Sequence, residues 1–275
     1  MKTLYLDLGM GAAGDMLTGA LLELMPDREA ALEQLNRLGL PHTQFSMERG
    51  SKCGISGTHI HVTVLGREEQ PCQDLPQHEH HHEHAHAHEH DHGHHHDHSH
   101  GHHHSHTAMA DIRQAIQALS VSDAVKAQIL GVYARIAQAE SQVHEVPVDQ
   151  IHFHEVGSLD ALADITAVCY LLEQLAPEKI LASPVQVGYG KIRCAHGILP
   201  VPAPATAQIL LGVPIRAGDI PGELCTPTGA ALLRQFVTAY GVLPTMTVNA
   251  IGYGLGTKDF PAANCLRAML GESEA

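Results

Sequence analysis

The sequence predicts a mixed α/β fold of βα units that is interrupted by one histidine-rich insertion. Apolar residues alternate in short runs typical of strands, and they recur at helical spacing in longer segments. Residues 67–108 form a polar stretch with too few apolar side chains to make a core. We therefore divide the 275-residue chain into segments 1–66, 67–108 and 109–275. We expect the first and last segments to pack as one domain.

Segment 1–66 carries signals in the order strand, helix, helix, strand. They are the alternating run 3–8, a glycine-rich turn followed by the helical stretch 14–25, a second helix over 27–38 ending at Gly39, and the strand 59–64.

Segment 109–275 is richer in helices. Apolar residues recur at helical spacing over 109–119 and again from 125 to about 143. A third helix follows Gly157, with Ser158 as its N-cap. The remaining elements are strand-like runs over 179–188, helices near 205–211 and 229–240, a strand over 244–251, and a last run over 264–270 interpreted as an edge strand.

Charge and composition exclude several classes of protein. The net charge of -14, without a cluster of lysine or arginine, argues against a nucleic-acid partner. No run approaches 18 apolar residues, so we expect no membrane span. Asp7 and Asp15 interrupt the first apolar stretch, which argues against a secretory signal. Six scattered cysteines without a CxxC pair indicate reduced thiols, so we expect a cytoplasmic protein.

The histidine-rich insertion predicts metal binding. Between His78 and His106 lie 18 of the 25 histidines, interleaved with acidic residues, and we expect this tract to be disordered without metal. Neutral imidazole suits nickel, zinc and copper, so composition alone does not choose the ion. Our candidate metal ligands within the tract are His80, His82, His94, His96, His102 and His104.

A second candidate metal site lies in the segment 152–157, HFHEVG. In an extended chain His152 and His154 project to the same side, and a turn after them could bring Glu155 round. Ordinary strand histidines are an equally good explanation. His196 precedes a stiff, proline-rich stretch and is a weaker candidate ligand. His144 falls near a helix C-terminus, where the helix dipole explains a histidine as well as metal binding does.

Two carboxylates follow the HFHEVG segment on one helical face. Asp160 and Asp164 are four residues apart, and we assign them as candidate catalytic residues. Asp160 alternatively serves only to place negative charge at a helix N-terminus, which is worth ~0.3–1 kcal/mol.

Two loops that lead into helices are candidate phosphate sites. Thr226, Thr228 and Gly229 precede an apolar-striped helix, where hydroxyls and N–H groups can bind a mononucleotide phosphate. Thr228 as a simple N-cap is the alternative that base rates favour. Asp15 follows the glycine-rich loop after the first strand, which lacks the lysine of a Walker A loop. It either binds a ligand or only caps the helix.

Several long motifs in a fixed order carry a family resemblance. They are the segments 11–16 (GAAGDM), the histidine-rich insert, 152–157 (HFHEVG), 196–206 (HGILPVPAPAT), 223–231 (ELCTPTGAA) and 252–259 (GYGLGTKD). From residue 4 to about 270 the chain resembles the LarC family of nickel-insertion proteins.

The resemblance implies a function. That family inserts Ni²⁺ into pyridinium-3,5-bisthiocarboxylic acid mononucleotide, forming one nickel–carbon and two nickel–sulfur bonds. The product is the pincer cofactor of lactate racemase, whose apoenzyme would be the recipient. The reaction uses CTP with Mn²⁺ or Mg²⁺. A planar donor set of this kind suits square-planar nickel. By analogy the tract collects Ni²⁺ and HFHEVG is the folded metal site.

Two departures from the family pattern qualify this expectation. Ala13 stands where the family more often has serine. The sequence also stops at Ala275, whereas the family's full-length form carries a further C-terminal domain with the CTP site. We therefore expect a separately supplied C-terminal domain as a partner. A nickel reservoir without catalysis, and a zinc- or copper-handling protein, remain alternatives.

Overall fold

The computed structural model describes residues 1–68, 73–75, 107–153, 157–194 and 197–274. These residues form seven α-helices and sixteen strands, several of only two residues. The helices are α1 (Gly14–Glu23), α2 (Arg28–Leu35), α3 (Met109–Ala118), α4 (Asp123–His144), α5 (Leu159–Leu175), α6 (Pro204–Ile209) and α7 (Pro227–Phe236), with a 3-10 turn at Val148–Gln150.

The strands are β1 (Lys2–Asp7), β2 (Thr43–Lys52), β3 (Ile55–Val64), β4 (Gln73–Asp74), β5 (Thr107–Ala108), β6 (His152–Phe153), β7 (Lys179–Ala182), β8 (Val185–Gln186), β9 (Gly188–Tyr189), β10 (Lys191–Cys194), β11 (Gly197–Pro200), β12 (Ile215–Arg216), β13 (Gly222–Glu223), β14 (Ala239–Tyr240), β15 (Met246–Leu255) and β16 (Cys265–Ser273).

One seven-stranded sheet organises the fold, in the order β14-β7-β1-β16-β15-β3-β2. Strands β14, β7 and β1 run parallel, as do β15 and β3, while β16 and β2 run against their neighbours. The pairings make β15 run in the same direction as β1, so the carboxyl ends of five strands meet at one edge. This edge is where α/β proteins usually bind ligands.

The helices cover one face of the sheet. α1 packs across β15, β3 and β16, α5 packs on α1, and α4 packs on α5, α6 and α7. Most of α5 is buried, because its apolar residues face both α1 and α4. The opposite face carries the exposed side chains of the alternating strands β2 and β15. This layer of helices brings the N-termini of α1 and α7 to the edge described above.

The mixed α/β class is confirmed, and so are most helices. The periodic residues from 125 to 143 lie in α4, and Ser158 caps α5 by accepting from the Ala161 N–H at 3.2 Å. His144 is the last residue of α4, with its Nε2 3.2 Å from a carboxylate oxygen of Glu140. Its position therefore agrees with the structural explanation.

Two strand assignments require correction. The run 264–270 was expected at an edge, but β16 lies in the middle of the sheet between β1 and β15. Its buried residues Leu266, Ala268 and Met269 reflect that central place. Strand β2 was not predicted, because Phe45 is its only buried residue and the rest reads as a polar loop. An edge strand has only one neighbour to pair with, here β3.

No helix among the described residues combines the length and apolar character that a membrane crossing requires. The expected disorder of the histidine tract falls on residues outside the described ranges.

Candidate functional site

The glycine-rich loop after β1 and the loop before α7 lie side by side. The Ala12 N–H donates to the Leu224 carbonyl at 3.0 Å, and the Thr226 N–H donates to the Ala12 carbonyl at 3.0 Å. Ala12 and Cys225 thus form an isolated parallel bridge. Two motifs roughly 210 residues apart in the chain therefore form one unit that leads into two helix N-termini.

Glycines make this close approach possible. Gly11 has φ +78°, and a Cβ there would lie 1.9 Å from the Leu224 carbonyl oxygen. A Cβ on Gly229 would lie 2.1 Å from the Ala12 carbonyl oxygen. Both contacts are to backbone, which cannot move aside as a side chain can. Packing therefore accounts for Gly229, and its contact with a nucleotide stays a prediction.

The N-terminus of α7 is capped by Thr226. Its Oγ1 accepts from the Gly229 N–H at 3.1 Å, and Pro227 fills the first helical position. The expectation that Thr228 is the cap is wrong, since that side chain lies inside the first turn and is 8% exposed. The Thr226 hydroxyl still has a proton to donate to a ligand.

The N-terminus of α1 has no side-chain cap at Ala13. Within this first turn the Met16 N–H donates to Asp15 at 2.8 Å, and the positive end of the dipole is left for a further partner. The two adjoining N-termini make this corner of the molecule suited to an anion such as phosphate.

Asp15 lies in the first turn of α1, and its carboxyl has a raised pKa. Burial raises the pKa of its carboxyl to about 6, although the Met16 N–H and the Thr257 hydroxyl donate to it at 2.8 and 3.3 Å. Thr257 lies in the 252–259 segment that carries the family resemblance, but the sequence assigned it no role, because a lone threonine after a strand gives no chemical signal. A carboxyl with a raised pKa in such a corner is a candidate for function.

The two candidate catalytic carboxylates lie on α5 beside α1. Asp164 packs against Gly14, where an added Cβ would lie 2.2 Å from its Oδ2. Its charge also contributes to the raised pKa of Tyr133, whose main cause is burial. Asp160 occupies the first turn of α5, one helical turn earlier. Asp164 is thereby placed at the start of α1, next to the paired N-termini.

Part of the HFHEVG segment is described. β6 pairs with β5, with His152 opposite Ala108. Phe153 is fully buried and meets the ring of Tyr133 edge-on, with centroids 6.0 Å apart. The buried phenyl ring therefore anchors the segment on α4.

The proposed ligands of this segment are not tested. The His152 side chain, His154, Glu155 and His196 lie outside the described residues, as do all six tract ligands His80, His82, His94, His96, His102 and His104. They stay predictions.

Cys225 lies between the two loops but is a poor metal ligand. It is fully buried, and burial raises the pKa of its thiol, which keeps the sulfur protonated.

Comparison with known proteins gives one consistent family. A family model described as nickel insertion protein matches residues 4–275. A Geobacillus kaustophilus protein named pyridinium-3,5-bisthiocarboxylic acid mononucleotide nickel insertion protein is 39% identical, over 99% of this chain and 60% of the relative. A Clostridium acetobutylicum protein of the same name is 42% identical, over 100% of this chain and 65% of the relative. No solved structure matched the chain.

The chain spans about 60% of the length of the curated relatives it matches. The match nevertheless covers nearly all of this chain, including both loops and both helices of the corner described above. The chain belongs to the nickel insertion protein family.

Proposed function

We propose that this chain takes part in inserting nickel into pyridinium-3,5-bisthiocarboxylic acid mononucleotide, together with a C-terminal domain supplied separately. The names of the relatives support the substrate. The product would be the nickel-pincer cofactor that the apoenzyme of lactate racemase receives.

The observation that carries this proposal is the pair of helix N-termini joined through Ala12. A mononucleotide has one phosphate group, and two N-termini at the carboxyl edge of a sheet supply N–H donors and two positive dipole ends for it. The hydroxyls of Thr226 and Thr257 border the same corner through their contacts with Gly229 and Asp15. We therefore place the substrate's phosphate at the starts of α1 and α7.

Carboxylates near this corner fit the chemistry of insertion. Forming a nickel–carbon bond from a ring C–H releases a proton, which a nearby base must accept. Asp164 packs at the start of α1, and Asp160 lies one helical turn away on the same face. We assign these two as the candidate proton acceptors. The nickel ion itself is a substrate of this reaction.

The expected CTP, with its Mn²⁺ or Mg²⁺, belongs in this proposal to the separate C-terminal domain. The loop 11–15 lacks a Walker A lysine, so no residue of this corner matches that class of triphosphate site.

Reconstitution tests the proposal. The chain is mixed with the C-terminal domain of a relative, Ni²⁺, CTP, Mn²⁺ and the mononucleotide, and activation of apo lactate racemase is measured. We expect activation that requires both polypeptides. No activation with a partner domain that is active in its own full-length protein would refute the proposal.

A nickel reservoir without catalysis is the second candidate, favoured by the tract of 18 histidines. Deleting residues 78–106 separates the two. Insertion that persists with excess nickel assigns catalysis to the folded body, and a body that binds neither nickel nor nucleotide supports the reservoir. Elemental analysis of protein purified without an affinity metal excludes or supports a zinc- or copper-handling role.

A further inference from the structure

Two histidines of the strand predicted over 59–64 lie together on β3. His59 and His61 are two residues apart and point to the same face of the sheet. The alternate residues Thr58, Ile60 and Val62 are buried under the helices. The two imidazoles therefore project from the open face, with ring centroids 4.3 Å apart.

A carboxylate completes this group. Glu48 pairs with His59 across the β2–β3 ladder, so its side chain leaves the same face. One ligand atom from each of Glu48, His59 and His61 lies within 4.8 Å of the others. Within the part of the chain that the structure describes, this is the one group of three or more such residues that could hold a metal ion.

Further contacts orient both rings. Glu68 Oε1 lies 2.8 Å from His61 Nδ1, which leaves Nε2 of that ring toward Glu48, 3.9 Å away. Thr257 Oγ1 lies 3.3 Å from His59 Nε2. Metal-binding histidines usually use one ring nitrogen for such an outer contact and the other for the ion. Each ring of this group thus has one nitrogen in an outer contact.

We propose that Glu48, His59 and His61 form a binding site for one divalent late first-row ion. Two imidazoles and a carboxylate suit such ions, with water completing the coordination. The identity of the ion as Ni²⁺ rests on the proposed function. Ligands about 2.1 Å from a metal are at most ~4.2 Å apart, so the group contracts slightly on binding. Glu48, whose side chain is 66% exposed, has the freedom to do so.

The location suits an initial nickel-binding site in the folded part of the chain. Thr257 contacts both His59 and Asp15, so the site adjoins the start of α1 at the same sheet edge. The tract begins ten residues after Glu68, and a chain extends at most ~3.6 Å per residue. His78, the first histidine of the tract, is thus at most ~36 Å from Glu68 by chain length, so nickel bound by the tract has a raised effective concentration at the site.

Thermal unfolding of the full chain with and without Ni²⁺ tests this site. An ion that binds the folded state alone raises Tm, by about 5 °C at a concentration about 100 times its Kd. The tract histidines stay neighbours in the unfolded chain, and they are identical in all variants, so differences between variants isolate the folded site. The site variants are His59→Ala with His61→Ala, and Glu48→Gln.

The matched control is His144→Ala, which removes one imidazole paired with a carboxylate elsewhere in the body. We expect the Ni²⁺-dependent rise in Tm to be lost in the double variant, reduced in Glu48→Gln and kept in the control. Metal-free Tm values show that each variant folds, and Glu48→Gln alters only an exposed side chain.

Equal rises in all four proteins would overturn the site. The insertion assay judges the proposed function separately. A wild-type chain that forms product while all variants show equal rises would refute this site alone. A wild-type chain without insertion activity but with the expected pattern of Tm values would refute the proposed function alone.

Discussion

The contact between the two loops leads us to predict that Gly229→Ala destabilises the protein, although helix propensity favours alanine. Alanine in place of glycine within a helix ordinarily stabilises by ~0.5–1 kcal/mol. In α7 the added Cβ would lie 2.1 Å from the Ala12 carbonyl oxygen, 2.6 Å from its carbon and 3.0 Å from the Ala13 nitrogen. All three atoms are backbone, so α7 and the loop must separate.

The size of the effect follows from what the separation disrupts. Overpacking against fixed atoms costs about 1–3 kcal/mol. The two hydrogen bonds that Ala12 makes to Leu224 and Thr226 contribute about 1 kcal/mol each. After the gain from helix propensity, we expect Gly229→Ala to lower the free energy of unfolding by about 3 kcal/mol, or Tm by about 5 °C.

Urea unfolding followed by circular dichroism measures this change, with Gly131→Ala as the matched control. Gly131 also lies in a helix, but its Cβ would meet the flexible end of the Gln235 side chain at 2.8 Å. We expect the control to stay within about 1 kcal/mol of the wild type. A Gly229→Ala protein as stable as the control would show that the two loops do not approach as described. That result would also refute the pairing of the α1 and α7 N-termini.

Three further predictions concern the corner and its neighbours. Burial raises the pKa of Asp15 to about 6, so the folded state favours its protonated form. The contribution of this carboxyl to the free energy of unfolding therefore falls as pH rises from about 4 to above 6. Asp15→Asn should remove that contribution to the pH dependence and gain about 1–3 kcal/mol at pH 8, measured by urea unfolding. Phe153→Ala removes a buried ring that packs on Tyr133, and we expect a loss of about 3–5 kcal/mol, read as a fall in Tm. His152→Ala with His154→Ala should weaken one tight nickel site in calorimetry on protein lacking residues 78–106, and an unchanged affinity would remove that assignment.

Local signals were sufficient for the helices. The periodic apolar residues of α4 and the Ser158 cap of α5 are properties of consecutive residues, and the structure agrees with both. The end of the predicted helix over 229–240 was less accurate, since α7 stops at Phe236 and Ala239 joins the short strand β14. Strand pairing there is a tertiary interaction that periodicity does not report.

Strand order depended on distant partners and could not be read from the chain. The residues of β16 gave no indication that β1 would pair with them, because the two strands are 260 residues apart at the contact of Asp7 with Arg267. The polar edge strand β2 was missed for a related reason. Its register with β3, which places Glu48 opposite His59, is visible only once the hairpin is built.

The same limit explains which site residues were recognised. The loops with Thr226 and Asp15 were identified because each precedes a helix, but their mutual contact was not, since the bridge joins Ala12 to Cys225 across the fold. The dense histidine tract drew attention by composition. The pair His59 and His61 did not, because an alternating strand often carries two polar residues on its solvent face.

The tract histidines and the pair His59 and His61 differ in whether added nickel can compensate for their loss. A tethered tract acts through local concentration, so added free Ni²⁺ compensates for its removal. Ligands fixed on β3 act through position, next to Thr257 and Asp15 at the start of α1, and extra ion does not restore a missing imidazole. If the site of Glu48, His59 and His61 passes nickel to the starts of α1 and α7, loss of the tract should raise the nickel concentration that insertion requires. Loss of His59 and His61 should instead leave a deficit that persists at every nickel concentration.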